Sequence, residues 1–362
     1  MRPILFAAIR TVFNIIYRMI YPFLPVFSRA LGVDIPALSQ ALANRYLVGA
    51  LGPFLAAIAD RQGRKAMMLF GIGLFVIGAG VLVVWPTFTG FVIMLILTAL
   101  GKYSFDPSMQ AYFSDRIPYQ RRGRVLAITE LGWSLSFIIG IPLVGVLISR
   151  RGWQSPFVWL ALMGLISGGL LIWLIPKDSA PKANQPKIWR NIWDVLSYPP
   201  ALAGLAVGLS ASTANETINL IFGVWMEDAF ELKIIALGAT AAVIGFAELG
   251  GETLVGALVD GLGKVRAVSI GLGLNCIAAL AFPLLGRNIT GALIGLFLFY
   301  ITFEFTLVSI IPMMTEILPA ARATLMAFSI HQHVAGARFG GVGRGSVVCL
   351  GRGRQRRGCG DF

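Results

Sequence analysis

The chain has 362 residues, of which 57% are hydrophobic and only 13% are charged, and its formal net charge at pH 7 is +13. With a mean hydropathy of +0.78, it has too few charged side chains to cover a water-soluble fold of this length, so we expect lipid as its solvent. The cationic residues are spread over short polar segments without interleaved aromatic residues. This pattern argues against a nucleic-acid partner and favours contact with anionic membrane lipids.

Ten apolar runs are long enough to cross the roughly 30 Å of hydrocarbon in a bilayer, which takes about 20 residues of helix. Lipid offers the backbone no hydrogen bonds, so runs of this length predict α-helices. The first run contains Arg10 and Arg18 and no cleavage pattern follows it, so we expect it to remain as the first helix. The runs cover about residues 4–31, 37–58, 66–86, 88–113, 124–149, 154–175, 201–224, 234–259, 265–286 and 288–315.

The basic residues predict the orientation of these helices. If the N-terminus is cytoplasmic, the inner connections carry fourteen Lys or Arg residues and the outer connections carry five. Short cytoplasmic loops are enriched in Lys and Arg. We therefore expect a multi-pass protein of the bacterial cytoplasmic (inner) membrane, with its N-terminus in the cytoplasm.

A polar, basic and proline-containing segment, residues 177–200, divides the chain into two halves that repeat one another. Asp60 and Asp260 occupy matching positions in charged loops that follow the second and eighth apolar runs. The sequence therefore predicts an all-α polytopic membrane protein made of two pseudo-symmetric helical bundles. Its predicted parts are a six-helix bundle at 1–176, a cytoplasmic linker at 177–200 and a second bundle at 201–330.

The first charged loop resembles the signature loop between helices two and three of the major facilitator superfamily of secondary transporters, although Ala56 stands where the family has its first glycine. The matching residues are Asp60, Arg61, Gly63, Arg64 and Lys65 in the first half and Gly256, Asp260, Gly263 and Lys264 in the second. The resemblance implies two bundles of six helices that rock about a site at the midplane of the membrane. Residues 140–145 are similar to a glycine- and proline-containing motif of antiporters in that family, with Ile141 inserted.

The two charged loops predict a gate as well as a topology signal. An acidic side chain in a short loop can pair with an arginine or a helix N-terminus in one conformation and release it in another. Gly63 and Gly263 would allow the tight turn that such a loop needs. The alternative is that the charges only mark the inner side of the membrane. The candidate gating residues are those matched above together with Arg121 and Arg322, which lie at equivalent positions after the fourth and tenth runs.

Polar side chains inside the apolar runs are the candidate transport residues, because charge is costly in hydrocarbon. Arg10, Asn14 and Arg18 recur every four residues, so they share one face of the first helix. We expect Arg10 to extend toward lipid headgroups. Arg18 is expected either to bind solute in the cavity or to form a structural ion pair. The candidate solute-binding residues are Asn14, Arg18, Tyr21, Asn215 and Asn219.

Acidic residues inside the runs are candidates for carrying protons. Lys102 and Asp106, four residues apart, can neutralise one another on one helix. We also expect Arg45 to pair with Glu130 on a neighbouring helix. The candidate proton-coupling residues are Glu216, which lies near the middle of its run, Glu130 and Asp106, and further candidates are Glu248, Glu252 and Glu304.

The resemblance implies transport of a small solute by alternating access, and proton-coupled efflux is the leading interpretation. Uptake of a small, anionic solute through an Arg18 cavity is the alternative, and an inactive remnant or a membrane sensor is a third. The sequence lacks the motifs of metallohydrolases, serine hydrolases and P-loop ATPases, so we expect neither an enzyme nor a cofactor or metal. We expect a monomer.

The last 32 residues, 331–362, differ in composition from the rest of the chain. They hold both histidines, two of the three cysteines, six arginines and nine glycines. So abrupt a change inside a predicted helix indicates a shifted reading frame or a truncated gene, with a disordered tail. The second bundle would then hold four helices and the start of a fifth, and we expect no metal site at His331 and His333.

Overall fold

The fold is described from a computed structural model, in which residues 3–51, 55, 62–176, 193 and 195–317 are placed. All regular structure among these residues is helical. The first half contains α1 (Pro3–Arg18), α2 (Leu24–Leu31), α3 (Ile35–Leu47), α4 (Arg64–Val84), α5 (Phe88–Arg116), α6 (Tyr119–Leu135), α7 (Ile141–Arg151) and α8 (Ser155–Leu174). The second half contains α9 (Pro199–Phe230), α10 (Ile234–Leu262), α11 (Lys264–Leu285) and α12 (Ile289–Ile317). A 3-10 turn (Val48–Leu51) follows α3, and a π-helical turn (Ser136–Gly140) joins α6 to α7.

Seven helical segments of the described residues are long and apolar enough to cross a membrane, and they match seven of the ten predicted runs. They are Arg64–Val84, Phe88–Phe113, Ala127–Arg151, Ser155–Leu174, Ile234–Val259, Lys264–Leu285 and Ile289–Ile311. Helix α9 matches an eighth run and has 32 residues, but serines, asparagines and a glutamate lower its hydropathy. The second run is described only in part. An all-helical, multi-pass membrane protein is thus confirmed.

The first predicted run is broken into two helices rather than forming one. Pro22 has no backbone N–H to donate, so the helical ladder is interrupted where α1 ends. The N–H of Tyr21 instead donates to the carbonyl of Arg18 at 3.3 Å, which leaves the Tyr17 carbonyl without its helical partner. Arg45 of α3 donates to that carbonyl at 2.8 Å. A side chain from a neighbouring helix therefore stabilises the break.

The helices run alternately between two ends of the molecule. We call the end with the N-terminus the proximal end, and the opposite end the distal end. The proximal end carries the connections at 63, 117–118 and 263, and the distal end those at 32–34, 85–87, 152–154, 231–233 and 286–288.

The two halves approach one another closely toward the distal end, where glycines allow backbones to meet. A Cβ added at Gly223 of α9 would lie 2.5 Å from the carbonyl oxygen of Tyr21. A Cβ added at Gly145 of α7 would lie 3.2 Å from the carbonyl oxygen of Ile234 at the start of α10. An ion pair, with 2.8 Å between Arg29 Nη1 and Glu227 Oε1, also joins the halves there.

Candidate functional site

The polar face of α1 is buried in the centre of the molecule. Arg10 is 6% exposed and lies 2.7 Å from Glu130 Oε1 and 3.2 Å from Asp106 Oδ1. The expected extension of Arg10 toward lipid headgroups is therefore wrong. The largely buried carboxylate of Asp106 and the partly exposed carboxylate of Glu130 compensate the guanidinium.

Asn14 and Lys102 connect α1 with α5 and α6. Lys102 Nζ lies 2.9 Å from Asp106 Oδ2, so the predicted pair within α5 is confirmed. The same ammonium donates to Asn14 Oδ1 at 2.6 Å. The amide nitrogen of Asn14 donates in turn to the Gly132 carbonyl of α6 at 3.1 Å. Asn14 thus fixes the position of Lys102 relative to α6.

Arg18 forms an ion pair that joins the two halves. Its guanidinium makes two hydrogen bonds to Glu248 of α10, one from Nη1 at 2.9 Å and one from Nη2. Nη1 also donates to the Trp133 carbonyl of α6 at 3.1 Å. The guanidinium carbon lies 3.5 Å from the centre of the Phe137 ring and 4.2 Å from that of Trp133. Of the two functions expected for Arg18, the structure contains the ion pair.

Arg45 does not pair with Glu130, so that expectation is wrong. Besides the Tyr17 carbonyl, Arg45 donates to the hydroxyl of Tyr21 at 3.1 Å, and its guanidinium carbon lies 3.5 Å from the centre of the Tyr17 ring. The break after α1 creates this acceptor, which draws Arg45 toward α1. Arg10 is the partner of Glu130 instead.

Tyr21 connects Arg45 to the second half. Its hydroxyl donates to Glu216 Oε2 of α9 at 3.0 Å. A tyrosine hydroxyl has one proton to donate and can accept as well. Arg45, Tyr21 and Glu216 therefore form a chain of hydrogen bonds from α3 to α9.

Two asparagines one turn apart on α9 lie in different surroundings. Asn219 Oδ1 accepts a hydrogen bond of 2.5 Å from the Tyr300 hydroxyl of α12. Asn215 is 8% exposed, and its Oδ1 is buried without a hydrogen-bond partner among the described residues. Sequence reasoning missed Tyr300, although its position four residues before Glu304 marks both for one face of α12.

Three glutamates of the second half, which we call the acidic cluster, lie together on α10 and α12. They are Glu248, Glu252 and Glu304. Glu248 and Glu304 are buried, and Ser134 of α6 donates to Glu252 Oε1 at 3.4 Å. A Cβ added at Gly251 would lie 2.7 Å from the Cβ of Glu304, so α12 packs directly against this part of α10.

The interior charges are divided unequally between the halves. The cations inside the described part of the bundle belong to the first half and are Arg10, Arg18, Arg45 and Lys102. The buried acids of the second half are Glu216, Glu248 and Glu304, with Glu252 partly buried beside them. Arg10 and Lys102 pair with acids of their own half, whereas Arg18 meets Glu248 across the interface.

The two charged loops share a backbone feature at the proximal end. Gly63 and Gly263 have φ angles of +98° and +82°, and each caps the N-terminus of the helix that follows. Lys65 Nζ donates to the carbonyls of Ile172, at 2.8 Å, and Ile175, at the end of α8. Gly256 lies in α10, while Arg64 and Lys264 begin α4 and α11. Asp60, Arg61, Arg322 and the tail lie outside the described residues, as do the side chains of Arg121 and Asp260.

Comparison with known proteins identifies the family. The sequence profile of the Major Facilitator Superfamily matches residues 6–339. The inner membrane transport protein YdhP of Escherichia coli K12 is 26% identical over 276 residues, which cover 75% of this chain and 69% of that protein. The structure of a bacterial homologue of the human lysosomal transporter Spinster, inward-facing and unoccupied, is similar with a TM-score of 0.79 at 14% identity. The match covers 94% of this chain and 81% of the homologue's chain. The structure of a D-xylose–proton symporter is similar with a TM-score of 0.71 at 15% identity, and the match covers 94% of this chain and 87% of the symporter's chain. The chain therefore belongs to the major facilitator superfamily and is a membrane transporter rather than an enzyme.

Proposed function

We propose that this transporter exports a small solute by alternating access and that proton movement drives the export. The observation that carries the proposal is the pair of buried cross-half contacts, Arg18 with Glu248 and Tyr21 with Glu216. Both contacts use a carboxylate of the second half. Binding of a proton to either carboxylate weakens its contact with the first half.

The position of the contacts supports alternating access. The close approaches at Gly223 and Gly145 and the Arg29–Glu227 pair all lie toward the distal end, so this conformation is closed there. Opening the distal end requires separation of Arg18 from Glu248. Breaking a buried ion pair costs about 3–5 kcal/mol when one partner is left charged. Arrival of a solute that replaces one of the partners would offset that cost.

Glu216 is the proton carrier that we propose first, with Glu130 and Asp106 as secondary carriers. Arg10 and Lys102 hold Asp106, and Arg10 holds Glu130, within the first half. Glu216 instead lies at the interface between the halves, where a change in its charge acts directly on their contact. The proposed solute-binding residues are Asn14, Arg18, Tyr21, Asn215 and Asn219.

The proposed gate is formed by the two charged loops at the proximal end, which we assign to the cytoplasm. One similar protein, YdhP, is an inner membrane transport protein, which supports placement in that membrane. The proposed organisation is a monomer with bundles at 1–176 and 201–330 joined by the linker 177–200. Replacement Asp60→Asn should reduce the initial transport rate while protein yield in the membrane stays unchanged. An unchanged rate would remove Asp60 from the gate.

The test of proton coupling uses the purified protein in liposomes loaded with the pH-sensitive dye pyranine. Cationic, neutral and anionic solutes are added outside in turn. Solute entry by antiport should drive protons out and raise the internal pH, and Glu216→Gln should abolish that response. Asp228→Asn, which changes an exposed acid on the same helix, serves as the control. A fall in internal pH would indicate symport, and solute entry without a pH change would contradict coupling.

A further inference from the structure

The acidic cluster carries more negative charge than its surroundings balance. Arg18 uses both of its terminal nitrogens on Glu248. Glu252 and Glu304 form no ion pair with any lysine or arginine of the described residues. Glu304 lies against α10 at Gly251, next to Glu252 in the chain, and Glu248 is one turn away on the same helix. When ionised, these two carboxylates have no counter-charge among the described lysines and arginines, so they bind either a proton or a cation.

An unpaired acceptor on α9 lies at the level of this cluster. Helices α9 and α12 run in opposite directions, and Asn219 meets Tyr300. Asn215 and Glu304 each lie one turn from that contact toward the proximal end, so they lie at the same level of the two helices. The buried Oδ1 of Asn215 has no hydrogen-bond donor among the described residues. Buried polar atoms are rarely left this way without a ligand or water to satisfy them.

The unpaired groups around this region have one chemical property in common. The carboxylates of Glu252 and Glu304 accept hydrogen bonds when ionised, and so does the amide oxygen of Asn215. A matching ligand must therefore donate hydrogen bonds and carry positive charge. Among the described residues no group of three His, Cys, Asp or Glu side chains could hold a metal ion, which favours an organic cation.

Aromatic rings beside the acidic cluster suit the same kind of ligand. Phe137 and Trp133 already hold the guanidinium of Arg18 against their faces. Such faces attract cations, more strongly where water is excluded. The buried ring of Tyr300 lies one turn from Glu304 on α12. The aromatic faces beside the cluster thus already accommodate one organic cation, the guanidinium of Arg18.

We propose that the exported solute is a small organic cation whose protonated amine binds between Glu252, Glu304 and Asn215. The inference rests on the transport function proposed above and deepens it by naming the solute class. Glu252 and Glu304 then bind either protons or the cation, in addition to the proton that Glu216 carries. Because both neutralise the cluster, binding of one displaces the other, and this competition couples their movements in opposite directions.

The test measures binding of three dansyl probes to the full chain in nanodiscs of neutral lipid. Dansylcadaverine carries a primary ammonium, dansylamide is neutral and dansylglycine is an anion, while the fluorophore is the same. We expect saturable binding of dansylcadaverine alone. Glu252→Gln and Glu304→Gln should each weaken it at least about tenfold, Asn215→Asp should tighten it, and Asp228→Asn should leave it unchanged.

Several results would overturn the inference. These are no binding of dansylcadaverine, equal binding of the neutral or anionic probe, or binding that both glutamine variants leave intact. Gel filtration and thermal melting of each variant verify that it is folded. Asn215→Asp should raise the affinity for dansylcadaverine, which misfolding would not do. If only neutral or anionic solutes raise the pH in the pyranine assay, the proposed transport stands and the solute class is wrong. If no solute does so, the proposed coupling itself fails.

Discussion

Arg18 and Glu248 are 230 residues apart in the chain and form a buried, bidentate ion pair between α1 and α10. The guanidinium also lies on two aromatic rings and donates to a carbonyl of α6. Three helices from both halves therefore meet at one side chain. In the proposed transport cycle this pair breaks and forms again.

The first prediction concerns the stability of that pair. Glu248→Gln and Arg18→Met should each lower the free energy of unfolding by about 3–5 kcal/mol, because each leaves a charged partner buried alone. The double variant should lose less than the sum of the two, since no buried charge remains. Thermal and denaturant unfolding of the purified proteins measures the difference. Strictly additive losses would show that the two residues are not coupled.

The second prediction concerns the close contact between α9 and the turn after α1. Gly223→Ala should destabilise the protein by about 1–3 kcal/mol, because the new methyl group meets the Tyr21 and Pro22 carbonyls and the helices must separate. Gly73→Ala in α4 is the matched control. A Cβ there has nothing within 4 Å, so this change should be neutral or stabilise by about 0.5–1 kcal/mol. Equal melting temperatures for the two variants would contradict the close approach.

The third prediction concerns the distal end. Cysteines introduced at Arg29 and Glu227, whose side chains form an ion pair across the halves, should be joined by a bifunctional maleimide. The exposed Cys276 and the two tail cysteines are first replaced by serine. Cross-linked protein should lose transport because the distal end cannot open. The single-cysteine variants treated with the same reagent are the controls, and full activity after cross-linking would show that this end need not move.

The sequence predicts well which parts of the chain are helical. It predicts less well which side chains form hydrogen bonds and ion pairs with one another. The apolar runs are set by membrane thickness, so their lengths show the helices directly. The break after α1 escaped prediction because a proline inside a long apolar run is also compatible with a continuous, kinked membrane helix. The positive φ angles of Gly63 and Gly263 fit the turns that their spacing indicated.

Partner choice within the site depends on tertiary structure. Arg45 binds the Tyr17 carbonyl because the broken helix exposes it, and no pattern in the sequence indicates that acceptor. The two acidic partners of Arg10 belong to α5 and α6, so they are known only from the packing of these helices against α1. The pair Lys102 and Asp106 was predictable because it is local to one helix.

The unequal division of charge between the halves also bears on the order of assembly during synthesis. The first half leaves the ribosome before the second, and within it Arg18 has no carboxylate partner among the described residues. A lone arginine in hydrocarbon is unfavourable, so α1 would remain near the lipid surface or the translocon until α10 is inserted. Glu248 then supplies the missing counter-charge. The late helix α10 thereby completes the burial of α1, the first helix to be made.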